Sequence, residues 1–146
     1  MDIYEIRKNK GRKILFNKDD DCLLGFDDQL KMSSHLLNAL WAMDLARELI
    51  QEFSLDPEYP FLLEAYESVY DWLLGNRKMS KARPYILKIH RLANDKDQKR
   101  YYLFHAIAQA FSVIHTPKHV LGLPLYELSY YYLNQKDYLS RIVYYQ

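Results

Sequence analysis

Apolar residues recur every three to four positions along most of this chain, which is the spacing of amphipathic α-helices. Ser33 or Ser34 can cap a first such helix, which we expect to run to about Ser54. Trp41 lies off its apolar stripe, so the pattern predicts that another element covers the indole ring. The stripe itself consists of Ala39, Ala42, Met43, Ala46, Leu49, Ile50 and Phe53.

Prolines and glycines divide the next region into two helices. The second helix is predicted from about Phe61 to Leu74, with Gly75 as its terminating residue. Ser80 can cap the third helix, which places Pro84 in the first turn. A proline is tolerated there because the N–H groups of a first turn have no partner within the helix.

A fourth helix is predicted over about residues 96–115, with Asp95 as its cap. Only His105, Gln109 and Ser112 form a polar line on it, and the rest of its circumference is apolar. A helix with so little polar surface is typical of the centre of a bundle.

Pro117 is suited to begin the following helix, which we expect to reach about Leu133. Pro124 would then stand inside it and remove a backbone hydrogen bond, so a kink is predicted near residues 120–124. Residues 135–146 fit either a short helix or an extended segment.

These elements predict an all-α, single-domain bundle of about five to six helices in residues 33–146. Residues 1–32 have a mixed pattern with a short β-like run at 14–16, and they predict an irregular N-terminal arm. A length of 146 residues with 49% hydrophobic content suits one domain with one core.

The charge balance argues against nucleic acid and membrane surfaces as partners, because 20 basic and 19 acidic residues leave a net charge of only +1. The first twelve residues lack the apolar core of a signal peptide. Cys22 is the single cysteine, which excludes an internal disulfide and fits a reducing compartment. We therefore expect a cytoplasmic protein.

Two features favour a protein partner. Fourteen tyrosines suit a binding surface, where tyrosine is enriched. On the second helix, Glu64, Glu67, Ser68 and Asp71 fall in one polar sector opposite the apolar stripe. The carboxylates of Glu64, Glu67 and Asp71, which we call the acidic ridge, are either a solvated helix face or a contact surface for a basic partner.

His115 and His119 stand four residues apart, the spacing of paired zinc ligands on a helix. Pro117 lies between them, the glutamate of the metalloprotease motif is missing, and a third ligand would have to come from elsewhere. We therefore expect a helix junction with neither metal nor cofactor.

A wider polar cluster can be assembled around this junction, and two interpretations of it remain open. Its members are Trp41, Asp44, Gln109, His115 and His119. In one interpretation they form a buried structural network that joins helix ends. In the other they line a shared pocket for a small ligand, a metal or a reaction.

The segment Trp41-Ala42-Met43-Asp44-Leu45-Ala46 resembles the Trp-Ala-x-Asp-x-Ala signature of the bacterial helical "putative immunity protein" family, the immunity-five-like class of polymorphic toxin systems. The resemblance extends in the same order over about residues 36–133. The further matching residues are Pro60, Ala65, Trp72, Gly75, Ala82, Arg83, His90, Ala93, the segment 106–115, Pro117, His119 and Gly122.

Three positions depart from the pattern of that family. Gln109 stands where a histidine is frequent, Tyr59 precedes the proline where an arginine is frequent, and Pro124 is unusual. If the family uses that histidine for chemistry, this chain lacks the chemistry. If a hydrogen bond is enough, Gln109 is a conservative replacement.

The resemblance implies a cytosolic protein that protects its producer by binding a cognate toxin domain, without catalysis of its own. Two other classes remain as alternatives. One is a ligand-binding protein or enzyme that uses the polar cluster. The other is a homo-oligomeric scaffold or regulatory protein, which the tyrosine-rich surface would suit.

Overall fold

The computed structural model describes residues 2–75, 79–94, 97–113 and 120–146, and every regular element within these ranges is helical. The eight α-helices there are α1 (Ile3–Asn9), α2 (Phe26–Met32), α3 (His35–Gln51), α4 (Tyr59–Leu73), α5 (Met79–Leu92), α6 (Gln98–Ser112), α7 (Gly122–Leu133) and α8 (Tyr138–Tyr145). A 3-10 helix covers Asp21–Leu23. The all-α class is confirmed, and the expected count of five to six helices is too low because α1 and α2 occupy the N-terminal region.

Side-chain caps fix where the helices begin. The hydroxyl of Ser34 accepts a hydrogen bond from the N–H of Leu37 at 3.1 Å and caps α3, as predicted. The predicted cap of α6, Asp95, is wrong. Asp97 holds that role, since its carboxylate accepts from the N–H of Arg100 at 3.1 Å and α6 begins at the next residue.

The two interior prolines lie at different helical positions from those predicted. α7 begins at Gly122, so Pro124 is its third residue and its missing N–H has no intrahelical acceptor to lose. The predicted helix start at Pro117 lies outside the described residues, whereas the predicted kink at 120–124 is wrong because α7 itself begins at Gly122. Ser80 lies inside α5 rather than at its cap, and Pro84 consequently stands two residues deeper in the helix than expected.

Helix α6 is the centre of the bundle, as its apolar circumference predicts. It packs against α3, α5 and α7, with α7 making the most extensive contact. A Cβ atom at Gly122 would lie 2.6 Å from the Cβ of Gln109, so only glycine allows α7 to begin this close to α6. The large side chains of α6 that are fully buried are Leu103, Phe104, Ile107 and Phe111.

Residues 2–32 belong to the same core, which corrects the expectation of an irregular arm. Leu15 and Phe16 in the predicted β-like run are completely buried, although no strand forms there. The N–H of Leu15 donates to the hydroxyl of Ser129 on α7 at 2.8 Å. The hydroxyl of Tyr102 on α6 donates to the carbonyl of Lys13 at 2.9 Å.

An ion pair links α1 to the residue directly before the 3-10 helix. The guanidinium of Arg7 donates to both carboxylate oxygens of Asp20 at 2.7 and 2.8 Å, and it also donates to the carbonyl of Leu15 at 2.7 Å. Bidentate pairs of this kind are stronger than single charged contacts and fix orientation. The segment between α1 and the 3-10 helix is thereby held against the core without regular secondary structure.

The serine on α7 provides a test of this attachment. We expect Ser129→Ala to lower the free energy of unfolding by about 1–3 kcal/mol, because the buried N–H of Leu15 would lose its acceptor. Ser112→Ala is the matched control, since its buried hydroxyl only donates to the helix carbonyl of Ala108. Urea unfolding followed by circular dichroism measures both, and equal losses would contradict the assignment.

Candidate functional site

Trp41 lies in an aromatic cluster built from three helices. Its ring centroid is 5.7 Å from that of Phe26 on α2 and 6.1 Å from that of Tyr145 on α8, both in edge-on contact. The rings of Phe26 and Tyr145 stack on each other at 6.0 Å. The prediction that another element covers Trp41 is confirmed, and the cover consists of α2 and α8.

Asp44 lies one turn along α3 from this cluster, but it faces solvent. Its side chain is 70% exposed, and its carboxylate is 3.6 Å from the guanidinium of Arg47. Exposed pairs of this kind contribute little to stability. Asp44 is therefore available to a partner and is not part of a buried network.

Gln109 lies in different surroundings, on α6 against the start of α7. It lines a cavity of about 290 Å³ together with Ile14, Lys18, Leu121, Gly122, Leu125 and Tyr126. Neither Trp41 nor Asp44 reaches this cavity. His115 and His119 lie outside the described residues, so the five-residue polar cluster as a whole stays a prediction.

No three His, Cys, Asp or Glu side chains are close enough to hold a metal ion within the described parts of the chain. In the same parts, no helix is both long and apolar enough to cross a bilayer.

The acidic ridge is only partly a solvated face. Glu64 and Glu67 are exposed, whereas Asp71 is half-buried. Ser68, which the helical wheel places in the same polar sector, is buried, and its hydroxyl donates to the carbonyl of Lys81 at 3.5 Å. The ridge therefore borders α5 on one side, and Glu64 and Glu67 are its accessible charges.

A network of charged hydrogen bonds converges on Arg141 of α8. Its Nε donates to Oε1 of Glu127 at 2.7 Å, and its Nη2 donates to Oε2 of the same residue at 3.3 Å. The same Nη2 donates to Oε2 of Glu48 on α3 at 3.1 Å. Glu127 on α7 is 1% exposed, so this guanidinium joins a deeply buried carboxylate to one at the surface.

Two tyrosines complete this arrangement. The hydroxyl of Tyr145 donates to Glu127 and that of Tyr144 donates to Glu48. Burial and the neighbouring Glu127 carboxylate raise the pKa of Tyr145 well above its usual value. Burial alone would lower the pKa of Arg141, but its hydrogen bonds to Glu127 raise the pKa above the ordinary value, so the guanidinium stays charged. We call Glu48, Glu127, Arg141, Tyr144 and Tyr145 the carboxylate clamp.

Sequence reasoning did not find the carboxylate clamp, although one signal was present. Glu127 is the only charged residue in α7, which otherwise reads Gly-Leu-Pro-Leu-Tyr and Leu-Ser-Tyr-Tyr-Tyr-Leu. A lone carboxylate in such a helix requires a cation from elsewhere in the fold. Its partner, Arg141, lies in residues 135–146, for which the sequence pattern fits either a short helix or an extended segment.

A comparison with protein families shows which family the chain belongs to. The model of the family "Imm-5 like putative immunity protein" matches residues 28–143. This chain belongs to that family. The resemblance predicted from the Trp41–Ala46 segment is thereby confirmed, and the match extends it into α2 and α8. No curated protein and no solved structure matches the chain.

The family match covers the three charged residues of the carboxylate clamp. Glu48, Glu127 and Arg141 lie within it, as does the exposed Asp44, whereas Tyr144 and Tyr145 follow its last residue. α1 and the Arg7–Asp20 ion pair precede it. The matched region of this immunity-family chain is thus the bundle that the clamp holds together.

His105 on α6 forms a second cluster with the rings of α5 and α7. Its ring centroid is 4.6 Å from that of Tyr101, 5.0 Å from that of Tyr126 and 5.7 Å from that of His90. Its buried Nδ1 has no hydrogen-bond partner among the described residues. Burial, helped by electrostatic repulsion from His90 and Lys13, lowers the pKa of His105 to about 4.

The carboxylate clamp predicts unequal costs for its two carboxylates. Glu127→Ala should lower the free energy of unfolding by about 3–5 kcal/mol, because it leaves the half-buried guanidinium of Arg141 without its main counter-charge and the buried hydroxyl of Tyr145 without its acceptor. Glu48→Ala is the matched control and should cost at most about 1 kcal/mol, since its carboxylate is 42% exposed. Chemical denaturation of both variants measures the difference, and similar values would contradict the clamp.

The lowered pKa of His105 predicts a pH-dependent stability. The unfolded chain takes up this proton near pH 6.5, whereas the folded chain takes it up only near pH 4. Stability should therefore fall as the pH drops from 6.5 to 4, and His105→Phe should flatten that part of the profile. His35→Phe, at an exposed histidine, is the control. Thermal melting across this pH range checks it, and an unchanged slope in His105→Phe would refute the prediction.

Proposed function

We propose that this protein binds a cognate bacterial toxin domain and neutralises it by covering part of its surface. The observation that carries the proposal is membership of the immunity-protein family over residues 28–143. Binding is sufficient for such a role, so the proposal assigns no catalytic step to the chain. It also agrees with the placement of Asp44, Glu64 and Glu67 at the surface.

The construction of the bundle supports a binding role. An inhibitor gains affinity when its contact surface is ordered before the partner arrives, because less conformational entropy is lost on association. In this chain, buried ion pairs and side-chain hydrogen bonds hold the peripheral helices. Arg141 ties α8 to α3 and α7, and Ser129 ties the N-terminal segment to α7.

The acidic ridge supplies one edge of the proposed contact surface. The hydroxyl of Tyr85 on α5 donates to Glu64 at 2.7 Å and holds this carboxylate in place. The ring of Tyr85 stacks on Phe61 at 5.8 Å, which places aromatic surface beside the charge. A basic partner would find both charge complementarity and rigid rings here.

A rescue assay with charge reversal tests the role of the ridge. Cells that express the toxin domain encoded beside this gene should survive when the wild-type chain is co-expressed. The double variant Glu64→Lys/Glu67→Lys should lose most of that protection, because it reverses the accessible charge of the ridge. Asp71→Asn, at the half-buried position, should have a smaller effect.

The matched control is Asp28→Lys/Glu52→Lys, which changes the net charge by the same amount at exposed positions outside the ridge. It should protect as well as the wild type does. Full protection by the ridge variant would remove the ridge from the contact surface. Absence of protection by the wild-type chain would overturn the proposed function itself.

A further inference from the structure

The outward side of α8 is unusually apolar for a helix at the edge of a bundle. Leu139 is 57% exposed, Val143 is 71% exposed and Tyr144 is 57% exposed, while Ser140 is the one exposed polar residue inside the helix. Ile142 and Tyr145 are buried, so α8 is apolar on both sides. An edge helix normally presents polar residues to solvent, and contiguous exposed apolar surface marks interaction sites.

Tyr144 is held in place despite its exposure. Its hydroxyl donates to Glu48 on α3, and its ring centroid lies 4.6 Å from the guanidinium carbon of Arg141. Arg141 is in turn fixed by Glu127. An exposed aromatic ring that is already immobilised loses little side-chain entropy on binding, which is a property of the anchor residues of protein interfaces.

Acidic groups border this apolar face on several sides. Asp137 caps the N-terminus of α8 and is exposed. Asp44 and Glu48 lie on α3, beside Tyr144. On another side, the 3-10 helix packs against α8 and carries the exposed Asp21.

Three cations near this border are already engaged, and one of them, Lys136 beside Asp137, lies over the rings of Tyr130 and Tyr131 at 5.2 and 5.3 Å. Arg141 is held by Glu48 and Glu127, and Arg47 lies 3.6 Å from Asp44. The face therefore has an apolar centre and an acidic margin, which is the organisation of a protein-binding patch.

The negative charge of this margin also indicates which kind of protein this face can bind. Two copies of the chain that met through this face in a symmetric dimer would bring their acidic margins together, and like charges in an interface cost affinity. A partner whose surface has an apolar centre and a margin of lysines and arginines would instead match both the apolar centre and the acidic margin of this face. The face therefore suits a different protein better than a second copy.

We propose that the outer face of α8, formed by Leu139, Val143 and Tyr144, is the apolar anchor that docks a toxin domain with a basic-rimmed apolar surface. The inference rests on the proposed function and extends it to a second surface. Helix α3 contacts α4, which carries the acidic ridge, and it also binds α8 through the hydrogen bond between Glu48 and Arg141.

The test measures binding to a catalytically inactive form of the toxin domain encoded beside this gene. Leu139→Glu/Val143→Glu should weaken the affinity at least about tenfold, because it places charge at the centre of the contact. Both side chains point to solvent, so the variant should melt at the wild-type temperature. Met32→Glu/Leu55→Glu is the matched control, since these side chains are 89% and 99% exposed at sites outside both the α8 face and the acidic ridge. It should bind as the wild type does.

Hydrogen exchange gives an independent measurement on the wild-type complex. The toxin domain should slow exchange in the peptide that covers residues 137–145, and reversal of the margin with Asp44→Lys/Asp137→Asn should reduce the salt dependence of association. Asparagine is chosen at 137 because it can still cap α8.

Three results would overturn the inference. If the wild type binds and Leu139→Glu/Val143→Glu binds equally well, the α8 face is not the anchor and the proposed function stands. If the wild type neither binds nor protects, the proposed function falls and the inference falls with it. If light scattering shows a wild-type dimer that Val143→Glu dissociates, the occupant is a second copy of this chain.

Discussion

The guanidinium of Arg141 is the contact on which the periphery of the bundle depends. It donates to the buried carboxylate of Glu127 on α7 and to the surface carboxylate of Glu48 on α3, so a single side chain sets the position of α8 against both helices. The buried Glu127 would be costly alone, and the pair is favourable only because geometry and hydrogen bonds are nearly complete. The cover over Trp41 and the fixed orientation of Tyr144 both follow from this placement.

The contacts that sequence reasoning predicts best are those that depend on neighbouring residues. The apolar stripe of α3, its cap at Ser34, the end of α4 before Gly75 and the central position of α6 all come from spacing within one segment, and the structure has each of them. Gly75 indeed has a positive φ of 81°, the conformation that such an ending requires. The family resemblance likewise depended on short ordered motifs.

The features that sequence reasoning missed depend on residues far apart in the chain. Leu15 finds its acceptor 114 positions away, and Glu48 meets Arg141 across 93 positions, so neither contact leaves a periodic signal. Pro124 was misjudged for a related reason, because its meaning depends on where the preceding turn ends rather than on its own chemistry. In the candidate site, Trp41 and Asp44 share one helix but face different surroundings, which a helical wheel does not distinguish.

The hydrogen bond between Leu15 and Ser129 has a consequence for how the chain reaches its fold during synthesis. A ribosome makes Leu15 long before Ser129, so the buried residues of the N-terminal segment have no site to occupy until α7 has emerged. Docking of such distant segments is slow relative to helix formation, because the loop between them must first close. Docking of the N-terminal segment onto α7 is therefore a late step of assembly, and Leu15 and Phe16 stay accessible to nascent-chain chaperones until it occurs.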